Sequence, residues 1–371
     1  MNLDKGRART AGVRLLMSWL LALALLAACN GPIPRSPTPE QPPLAEELLF
    51  YDWIEDMPQS VLDAFGAEYG VRVVYLTYEA QEEVVEEMRA GAVYDVVVLD
   101  NRFLPALIGD GLLAEIDYRN VPNFRNISAN FRDMACDPSN THSVPYNWGT
   151  TGLVVRSDLV EEPVTRWADL WDPRYAGKVA LWRGERRELI GLALKALGYS
   201  ANSENPAELE AALQHLLELR PRVVFLEDLE AYTAVPFLLS GEIIIAEGWS
   251  YDALEGREAH EAITYVLPAE GALLWGDSFV IPANSPNRYT AEVFLNFLLR
   301  PGIGAQIVHH NLYATANEAA RSFIAREVLN DPLVFPPNAD LVNAEVIQPL
   351  SPAGEQLYAG IWERFEAAAG P

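Results

Sequence analysis

The segment Trp182-Arg-Gly-Glu-Arg-Arg-Glu188 contains two carboxylates that could transfer protons or bind a cation. Glu185 and Glu188 follow a predicted strand and open a predicted helix, where their i, i+3 spacing places both on one helical face. Ligands of parallel α/β sheets bind at the carboxyl ends of strands, so this is a position for a site. The pair could act as general acid and base or could hold an ammonium group. Alternatively, acids in a first helical turn only complement the helix dipole.

The second arrangement combines tryptophan rings with a carboxylate, in Trp249 and in Trp275-Gly-Asp277. Each tryptophan closely follows or begins a strand-like run. A carboxylate flanked by indole rings could pair with a cation while the rings cover an alkyl stem and attract the charge. The alternative is that these rings belong to the core, since the chain has nine tryptophans.

Motifs typical of hydrolases and phosphate-binding loops are absent from the sequence. It contains no G-x-S-x-G, H-E-x-x-H or G-x-x-x-x-G-K pattern. The five histidines lack the spacing of metal ligands; they are His142, His215, His260, His309 and His310. We therefore expect no metal, no cofactor and no catalytic residues of these classes.

From residue 46 onward, the sequence alternates between short apolar runs and amphipathic segments. This order indicates right-handed crossovers and mostly parallel sheets. Strands are predicted near 48–53, 71–78, 95–99, 152–156, 178–182, 223–226, 242–246, 263–267 and 278–281. Helices are predicted near 57–69, 81–90, 189–197, 206–219 and 289–299, with Gly70 as the stop of the first.

The length and net charge of the chain limit the number of domains and the classes of binding partner. After an N-terminal leader, about 340 residues would remain, which exceeds the size of a single core and favours two lobes. The predicted domains are a leader at 1–28, a tether at 29–45, lobe 1 at 46–151 plus 282–371, and lobe 2 at 152–281. The formal net charge of −25 excludes binding to nucleic acid by phosphate neutralisation.

The N-terminus is typical of an exported lipoprotein. Four basic residues precede an apolar run that ends in Leu26-Ala27-Ala28-Cys29, which resembles the bacterial lipobox, where the thiol is acylated. An ordinary signal peptide or a membrane anchor is the alternative, although the run is short for a spanning helix. The proline-rich segment that follows would be a semi-rigid spacer between Cys29 and the folded part.

From Leu48 onward, the chain resembles the spermidine/putrescine-binding proteins of bacterial polyamine ABC transporters. The motifs that carry the resemblance occur in order along the chain: Tyr51-Asp-Trp53, Val74-Tyr-Leu-Thr-Tyr-Glu79, Tyr94-Asp-Val-Val-Val98, Val144-Pro-Tyr-Asn-Trp-Gly149, Trp167-Ala-Asp-Leu-Trp171, Leu197-Gly-Tyr-Ser200, Trp275-Gly-Asp-Ser278, Ile281-Pro-Ala283 and Asn296-Phe-Leu-Leu-Arg-Pro301. The resemblance implies the two-lobe, type II fold of periplasmic binding proteins, in which each lobe is a mostly parallel sheet flanked by helices.

The resemblance also implies a set of ligand-binding residues. The aromatic walls would be Trp53, Trp249, Trp275 and Tyr313. The carboxylates that hold ammonium groups would be Glu188 and Asp277, with Glu185 at the place of a family aspartate, and Gln348 matches the family's glutamine. Four further residues lie near the same motifs: Glu55, Asp56, Asp100 and Arg102.

Two departures from the family pattern concern the ligand. Asp56 stands where the family often has a tyrosine, and the segment Leu99-Asp-Asn-Arg102 places an arginine where the family has an aromatic residue. Arg102 could repel a polyamine, could turn outward, could pair with Asp56 or Asp100, or could bind a carboxylate on a different ligand.

The sequence and the resemblance together predict a lipid-anchored, exported substrate-binding protein of an ABC importer. It would bind putrescine or spermidine between two lobes as a monomer, deliver it to a permease, and not act as an enzyme. The alternatives are a binding protein for another small amine or zwitterion, and a surface glycoside hydrolase that uses Glu185 and Glu188.

Overall fold

The first half of the fold alternates strands and helices in the predicted order. The structure is a computed structural model that describes residues 41–78, 80–229 and 233–368, and residues from Leu44 onward form one compact unit. Its first elements are β1 (Glu47–Trp53), α1 (Gln59–Tyr69), β2 (Arg72–Tyr78), α2 (Gln81–Arg89), β3 (Val96–Asp100) and α3 (Leu104–Gly109). Short 3₁₀ turns follow before the long strand β4 (Ser143–Arg156).

The second half repeats the alternation and then returns to the first. It consists of β5 (Val179–Leu181), α4 (Arg186–Ala196), α5 (Pro206–Leu219), β6 (Val223–Phe225), α6 (Val235–Ser240), β7 (Ile245–Trp249), α7 (Ser250–Ala259), β8 (Ile263–Val266) and β9 (Leu273–Val280). The chain ends with α8 (Arg288–Leu298), α9 (Pro301–Asn311), β10 (Ala314–Thr315), α10 (Arg326–Leu329), β11 (Glu345–Val346) and α11 (Pro352–Ala367).

The described strands form one sheet in the order β2-β1-β3-β9-β4-β7-β5-β6, with β8 and β10 paired to β4 and β11 paired to β9. β1 is parallel to β2 and β3, and β5 is parallel to β6 and β7. Between these two parallel groups, β9 and β4 pair antiparallel with each other and with their outer neighbours. The predicted α/β fold of two mostly parallel groups is confirmed, with β4 and β9 as the crossing strands.

Two large apolar clusters lie under the two parallel groups. The first includes Phe50, Phe65 and Phe294, and the second includes Trp167, Leu189 and other fully buried residues. The fully buried indole of Trp167 donates a hydrogen bond to the carbonyl oxygen of Gly271, so its polar edge is satisfied. Trp167 is therefore a core residue.

Predicted and observed boundaries agree best where the amphipathic pattern is clean. α1 buries Val61, Leu62 and Phe65 and ends at Gly70, whose φ of 71° is the left-handed conformation typical of a helix stop. α5 occupies the predicted residues, with Pro206 in its first turn and an Asn205 side chain that caps Ala207.

Three strands differ from the prediction because they run through the middle of the molecule. β7 begins three residues later than predicted and continues through Glu247 to Trp249. β9 and β4 extend well beyond the predicted segments and include Trp275-Gly-Asp277 and Val144-Pro-Tyr-Asn-Trp-Gly149. Polar residues and a proline broke the apolar pattern there, although these strands are central and buried.

The C-terminal helix α11 packs with the second cluster. Its residues Tyr358, Ile361 and Phe365 lie against α5 and its neighbours. The predicted boundaries place residues 282–371 in lobe 1, whereas the contacts of this helix are with elements between 152 and 281. The lobe boundaries themselves stay a prediction, and the predicted leader and most of the tether lie outside the described residues.

Within the described parts of the chain, no helix has both the length and the apolar character needed to cross a membrane. The apolar run that precedes Cys29 lies outside those parts.

We predict that Phe294→Ala lowers the free energy of unfolding by about 3–5 kcal/mol, because it leaves a cavity in a packed core. The Phe294 ring is fully buried and contacts the rings of Phe50 and Phe65 edge-on. Urea denaturation of the purified protein measures the change. Phe323→Ala is the control, since that side chain is 60% exposed and its removal should change the unfolding free energy by less than about 0.5 kcal/mol. Equal effects of the two variants would contradict the assignment of the core.

Candidate functional site

The candidate site lies over the middle of the two crossing strands. Asp100, the last residue of β3, is opposite Asp277 near the centre of β9. Trp249, the last residue of β7, is opposite Thr151 of β4, and Thr151 is also opposite Leu273 of β9. The carboxyl ends of both parallel groups therefore meet over β4 and β9, which is where ligands of open α/β sheets bind.

Three aspartates lie together on the side of the first parallel group. Asp52 is fully buried, and Asp56 and Asp277 are each 5% exposed. The backbone N–H of Trp53 donates to Asp52 at 2.8 Å, and its indole N–H donates to Asp277 Oδ2 at 3.2 Å. Asn311 donates to Asp56 Oδ1 at 3.0 Å. One oxygen each of Asp52 and Asp56 has no hydrogen-bond partner among the described residues.

Burial raises the pKa of all three aspartates above the ordinary range. For Asp52, the neighbouring Asp56 carboxylate raises the pKa further, because two like charges in a dry site repel each other. For Asp277, nearby Asp100 and Asp56 act in the same direction. The ionised form of this cluster is therefore costly unless a cation is close.

Three glutamates lie on the side of the second parallel group. Glu188 is in the first turn of α4, Glu185 precedes that helix, and Glu247 is in β7. Glu188 and Glu247 are 4% and 1% exposed, and each has one oxygen without a partner among the described residues. Glu185 makes no side-chain capping hydrogen bond to the helix. Dipole complementation alone does not account for this arrangement, because Glu188 is buried and incompletely paired.

Burial raises the pKa of these glutamates as well. It brings the pKa of Glu188 to about 8, with a further contribution from the charge of Glu185. The pKa of Glu247 is also raised well above its ordinary value, by burial first and by the Glu188 charge second. Protons are thus retained near neutral pH where no cation compensates the carboxylates.

Aromatic rings stand around both acidic groups. The rings of Trp53 and Tyr78 lie 4.8 Å apart between centroids. Trp275 meets Tyr313 edge-on at 4.9 Å, and Tyr313 is in turn 6.1 Å from Tyr251.

The remaining indole wall of the site is formed by Trp249, which is accompanied by Trp182 at 5.7 Å between ring centroids. These surfaces can cover methylene groups and attract a cation through their π faces.

The indole of Trp275 has its place because β4 carries a glycine opposite it. A Cβ atom at Gly149 would lie 2.3 Å from Trp275 Cζ2, closer than any real contact.

Backbone hydrogen bonds to two acids hold the segments next to the site. On β7, the backbone N–H of Trp249 donates to Asp252 Oδ2 at 2.9 Å, which holds the start of α7. Glu227 accepts from the backbone N–H groups of Arg183 and Gly184 and so holds the loop that leads to Glu185.

Arg102 enters the site rather than turning outward. Its side chain is 13% exposed, and its guanidinium lies 3.6 Å from Glu185 Oε2 and 3.6 Å from Glu82 Oε1. Its backbone N–H donates to Asp100 Oδ1 at 2.7 Å. The sequence left open that Arg102 pairs with Asp56 or Asp100, but the ion pairs of its guanidinium are with Glu82 and Glu185, and Asp100 accepts only its backbone N–H.

Two predicted residues are not brought into this group. Glu55 is exposed, with a left-handed φ of 60°, and its carbonyl oxygen contacts His310 Nε2 at 2.9 Å. Gln348 is also exposed, and its backbone bonds to Asn202 and Arg187. The other predicted residues converge on the cleft: Trp53, Asp56, Asp100, Arg102, Glu185, Glu188, Trp249, Trp275, Asp277 and Tyr313.

Sequence reasoning missed several residues of the cleft. Asp52 and Glu247 are acids inside apolar strand runs, and this interruption was a signal that could have identified them. Tyr78, Trp182 and Tyr251 carried no comparable signal, because aromatic residues near strands are usually core.

The arrangement can hold positive charge on an apolar stem. Two groups of acids lie close to indole and phenol rings near the crossing strands, and Arg102 is paired with Glu185 in one of these groups. Among the described residues, no three His, Cys, Asp or Glu side chains are grouped so that they could hold a metal ion.

The sequence profile of the family described as bacterial extracellular solute-binding protein matches residues 60–335. The chain belongs to this family. The spermidine/putrescine-binding periplasmic protein of Escherichia coli is 35% identical to it over 324 residues, which cover 86% of this chain and 91% of the relative. The resemblance seen in the sequence motifs is confirmed.

Solved structures of other members have the same two-lobe solute-binding fold. A spermidine/putrescine ABC transporter substrate-binding protein from Streptococcus pneumoniae, solved with calcium and HEPES, superposes with a TM-score of 0.75 at 28% identity. It covers 87% of this chain and 99% of its own. A lipoprotein of Treponema pallidum has a TM-score of 0.77 at 26% identity and covers 86% of this chain and 99% of its own.

We predict that Glu188→Gln changes how the stability of this solute-binding protein depends on pH. The folded-state pKa of Glu188, about 8, exceeds its ordinary value of 4.5. The stabilising effect of its proton is therefore complete below about pH 4.5 and is lost as pH rises through 8. Urea denaturation at pH 5, 6.5 and 8 should show wild-type stability falling more steeply than that of Glu188→Gln.

Glu210→Gln is the matched control for this pH series. Arg364 lowers the pKa of the exposed Glu210 to about 2, so this glutamate stays ionised from pH 5 to 8. Its removal should shift stability equally across that range and leave the slope unchanged. If Glu188→Gln keeps the wild-type slope, Glu188 does not hold a proton near neutral pH.

We predict that Gly149→Ala displaces the Trp275 indole and lowers the free energy of unfolding by about 1–3 kcal/mol, as overpacking does. Near-ultraviolet circular dichroism should report the ring movement and urea denaturation the stability. The control is Gly302→Ala in α9, where the new methyl meets no atom within 4 Å and should cost nothing. An unchanged spectrum and stability in Gly149→Ala would contradict the tight contact.

Proposed function

We propose that this solute-binding protein captures a linear polyamine, putrescine or spermidine, in the cleft over β4 and β9. The observation that carries the proposal is the excess of buried carboxyl groups over cations. The buried or partly buried acids of the cleft are Asp52, Asp56, Asp100, Glu185, Glu188, Glu247 and Asp277, and the cation paired to one of them is Arg102. Ammonium groups on a ligand would supply the missing charge.

The aromatic rings account for the rest of such a ligand. A polyamine has methylene segments between its charges, and burial of each CH₂ contributes about 0.8 kcal/mol. In this proposal the faces of Trp53, Trp249, Trp275 and Tyr313 would cover those segments, with Asp277 on one side and Glu188 on the other. The names of the relatives support the same ligand class, since the Escherichia coli and Streptococcus pneumoniae proteins are described as binding or transporting spermidine and putrescine.

We further propose that the protein is tethered outside the cell membrane by lipid on Cys29 and serves the permease of an ABC importer as a monomer. The sequence Leu26-Ala27-Ala28-Cys29 supports the anchor and lies outside the described residues. A tether would keep the cleft near its permease at high effective concentration. No enzymatic role is proposed, and the comparisons do not favour the hydrolase or zwitterion alternatives.

We predict that the mature protein binds putrescine or spermidine and that Asp277→Asn weakens the binding by about 30-fold or more. Loss of one partner of a desolvated charge pair costs about 2–5 kcal/mol. Isothermal titration calorimetry of the protein without its leader measures the affinity. Asp110→Asn is the matched control, since that carboxylate is half exposed and pairs with Arg89 on the surface. The absence of heat with both polyamines at millimolar concentration would refute the polyamine proposal.

A substitution at Trp249 provides a second test of the same site. Trp249→Ala removes a ring face from the cleft and should weaken polyamine binding by about tenfold or more, the equivalent of about 1.4 kcal/mol. Trp171→Ala is the control, because its ring stacks on the ring of His215 and its indole N–H donates to the His215 carbonyl oxygen. Wild-type affinity in Trp249→Ala would remove Trp249 from the site.

A further inference from the structure

Arg102 is a cation that the protein itself places in the acidic cleft. It lies in the 3₁₀ turn Asn101–Phe103, directly after β3. Its guanidinium is 3.6 Å from Glu82 and from Glu185, and 4.8 Å from the centroid of the Phe103 ring. These contacts come from three segments of the chain and hold the side chain in the cleft, where it is 13% exposed.

Glu185 consequently has an ion-pair partner, whereas the other two acids predicted to bind ammonium groups, Glu188 and Asp277, have none among the described residues. The pKa of each of these two acids is raised by burial. Burial raises the pKa of Glu185 as well, but here the charge of the adjacent Arg102 opposes that effect, while the Glu82 and Asp100 charges add to it. A second arginine, Arg186, lies 3.8 Å from Glu82.

A third ammonium group near Glu185 would therefore meet a guanidinium. Two like charges at such a short distance repel each other strongly in a partly buried site, where water screens them little. Moving Arg102 away would separate it from both glutamates and from the Phe103 ring. A ligand that places cations only near Asp277 and near Glu188 avoids both penalties.

We propose that Arg102 takes the place of one ligand ammonium and makes the site selective for a short linear diamine over a triamine. The inference rests on the proposed polyamine function and concerns the number of charges that the cleft accepts. Arg102 acts as a specificity-determining residue. Its guanidinium pairs with Glu185, so fewer carboxylates are left to bind ammonium groups of the ligand. Two positions for ligand ammonium groups remain, one near Asp277 and one near Glu188, on the two sides of the crossing strands.

Calorimetric titration of the purified protein with 1,4-diaminobutane and with spermidine tests the proposal. The wild-type protein should bind the diamine at least about tenfold more tightly than it binds spermidine, a difference in binding free energy of about 1.4 kcal/mol. Arg102→Met keeps an apolar side chain of similar length and frees Glu185, so it should reduce or reverse the preference by about tenfold or more. Arg102→Gln carries the same expectation if the methionine variant does not fold.

Arg186→Met is the matched control. It removes the same charge from the same acidic region and also contacts Glu82, but it forms no ion pair with Glu185. The ratio of the two affinities should stay within about twofold of wild type. In the Arg102→Met background, Glu185→Gln should abolish the gain in spermidine affinity.

The outcomes separate this inference from the function on which it rests. Equal wild-type affinities for spermidine and the diamine overturn the role of Arg102, as does an equal shift of the ratio in Arg186→Met and Arg102→Met. In both cases polyamine binding itself would stand. Failure of the wild-type protein to bind either compound overturns the proposed function and this inference together.

Discussion

The folded protein buries several carboxyl groups that have no cation beside them within the described parts of the chain. An isolated buried charge is so unfavourable that proteins protonate or pair it. Here, Asp52, Asp277 and Glu247 are almost fully removed from water, and the pKa of each is raised. The folded state therefore tolerates this cluster at a cost in free energy, which a bound cation would reverse.

The crossing strands explain how such a cluster can exist within a stable protein. β4 and β9 are central in the sheet and are supported by apolar clusters on both sides. The acids project from the ends of β3 and β7 and from the turn before α4 toward the middle of these strands. The large cores thus supply the stability, and the cleft between them carries the unfavourable charges. An unfavourable arrangement of charges at a site is commonly compensated by favourable packing elsewhere in the fold.

The α/β fold class and part of the candidate site could be predicted from local sequence patterns. Alternating apolar and amphipathic runs predicted mostly parallel strands, and the Glu185–Glu188 and Trp275–Asp277 spacings indicated two groups of the candidate site. The two-lobe, type II arrangement and the candidates Trp53, Tyr313 and Gln348 came from the family resemblance. The full lengths of β4 and β9 could not be predicted, because residues such as Pro145 and Gly149 belong there for reasons of long-range packing. Gly149 is required by Trp275, more than a hundred residues later, and no local pattern records that contact.

The orientation of Arg102 shows the same limit at the level of one side chain. Its departure from the family pattern was visible in the sequence, but whether it faced the cleft depended on Glu82 and Glu185, which only the fold brings together. Once these three side chains meet, charge balance constrains the site further than the family resemblance does. An acidic cleft that already contains one guanidinium needs fewer ligand cations than its count of carboxylates suggests. Specificity then depends on which acids remain unpaired, and not on how many are present.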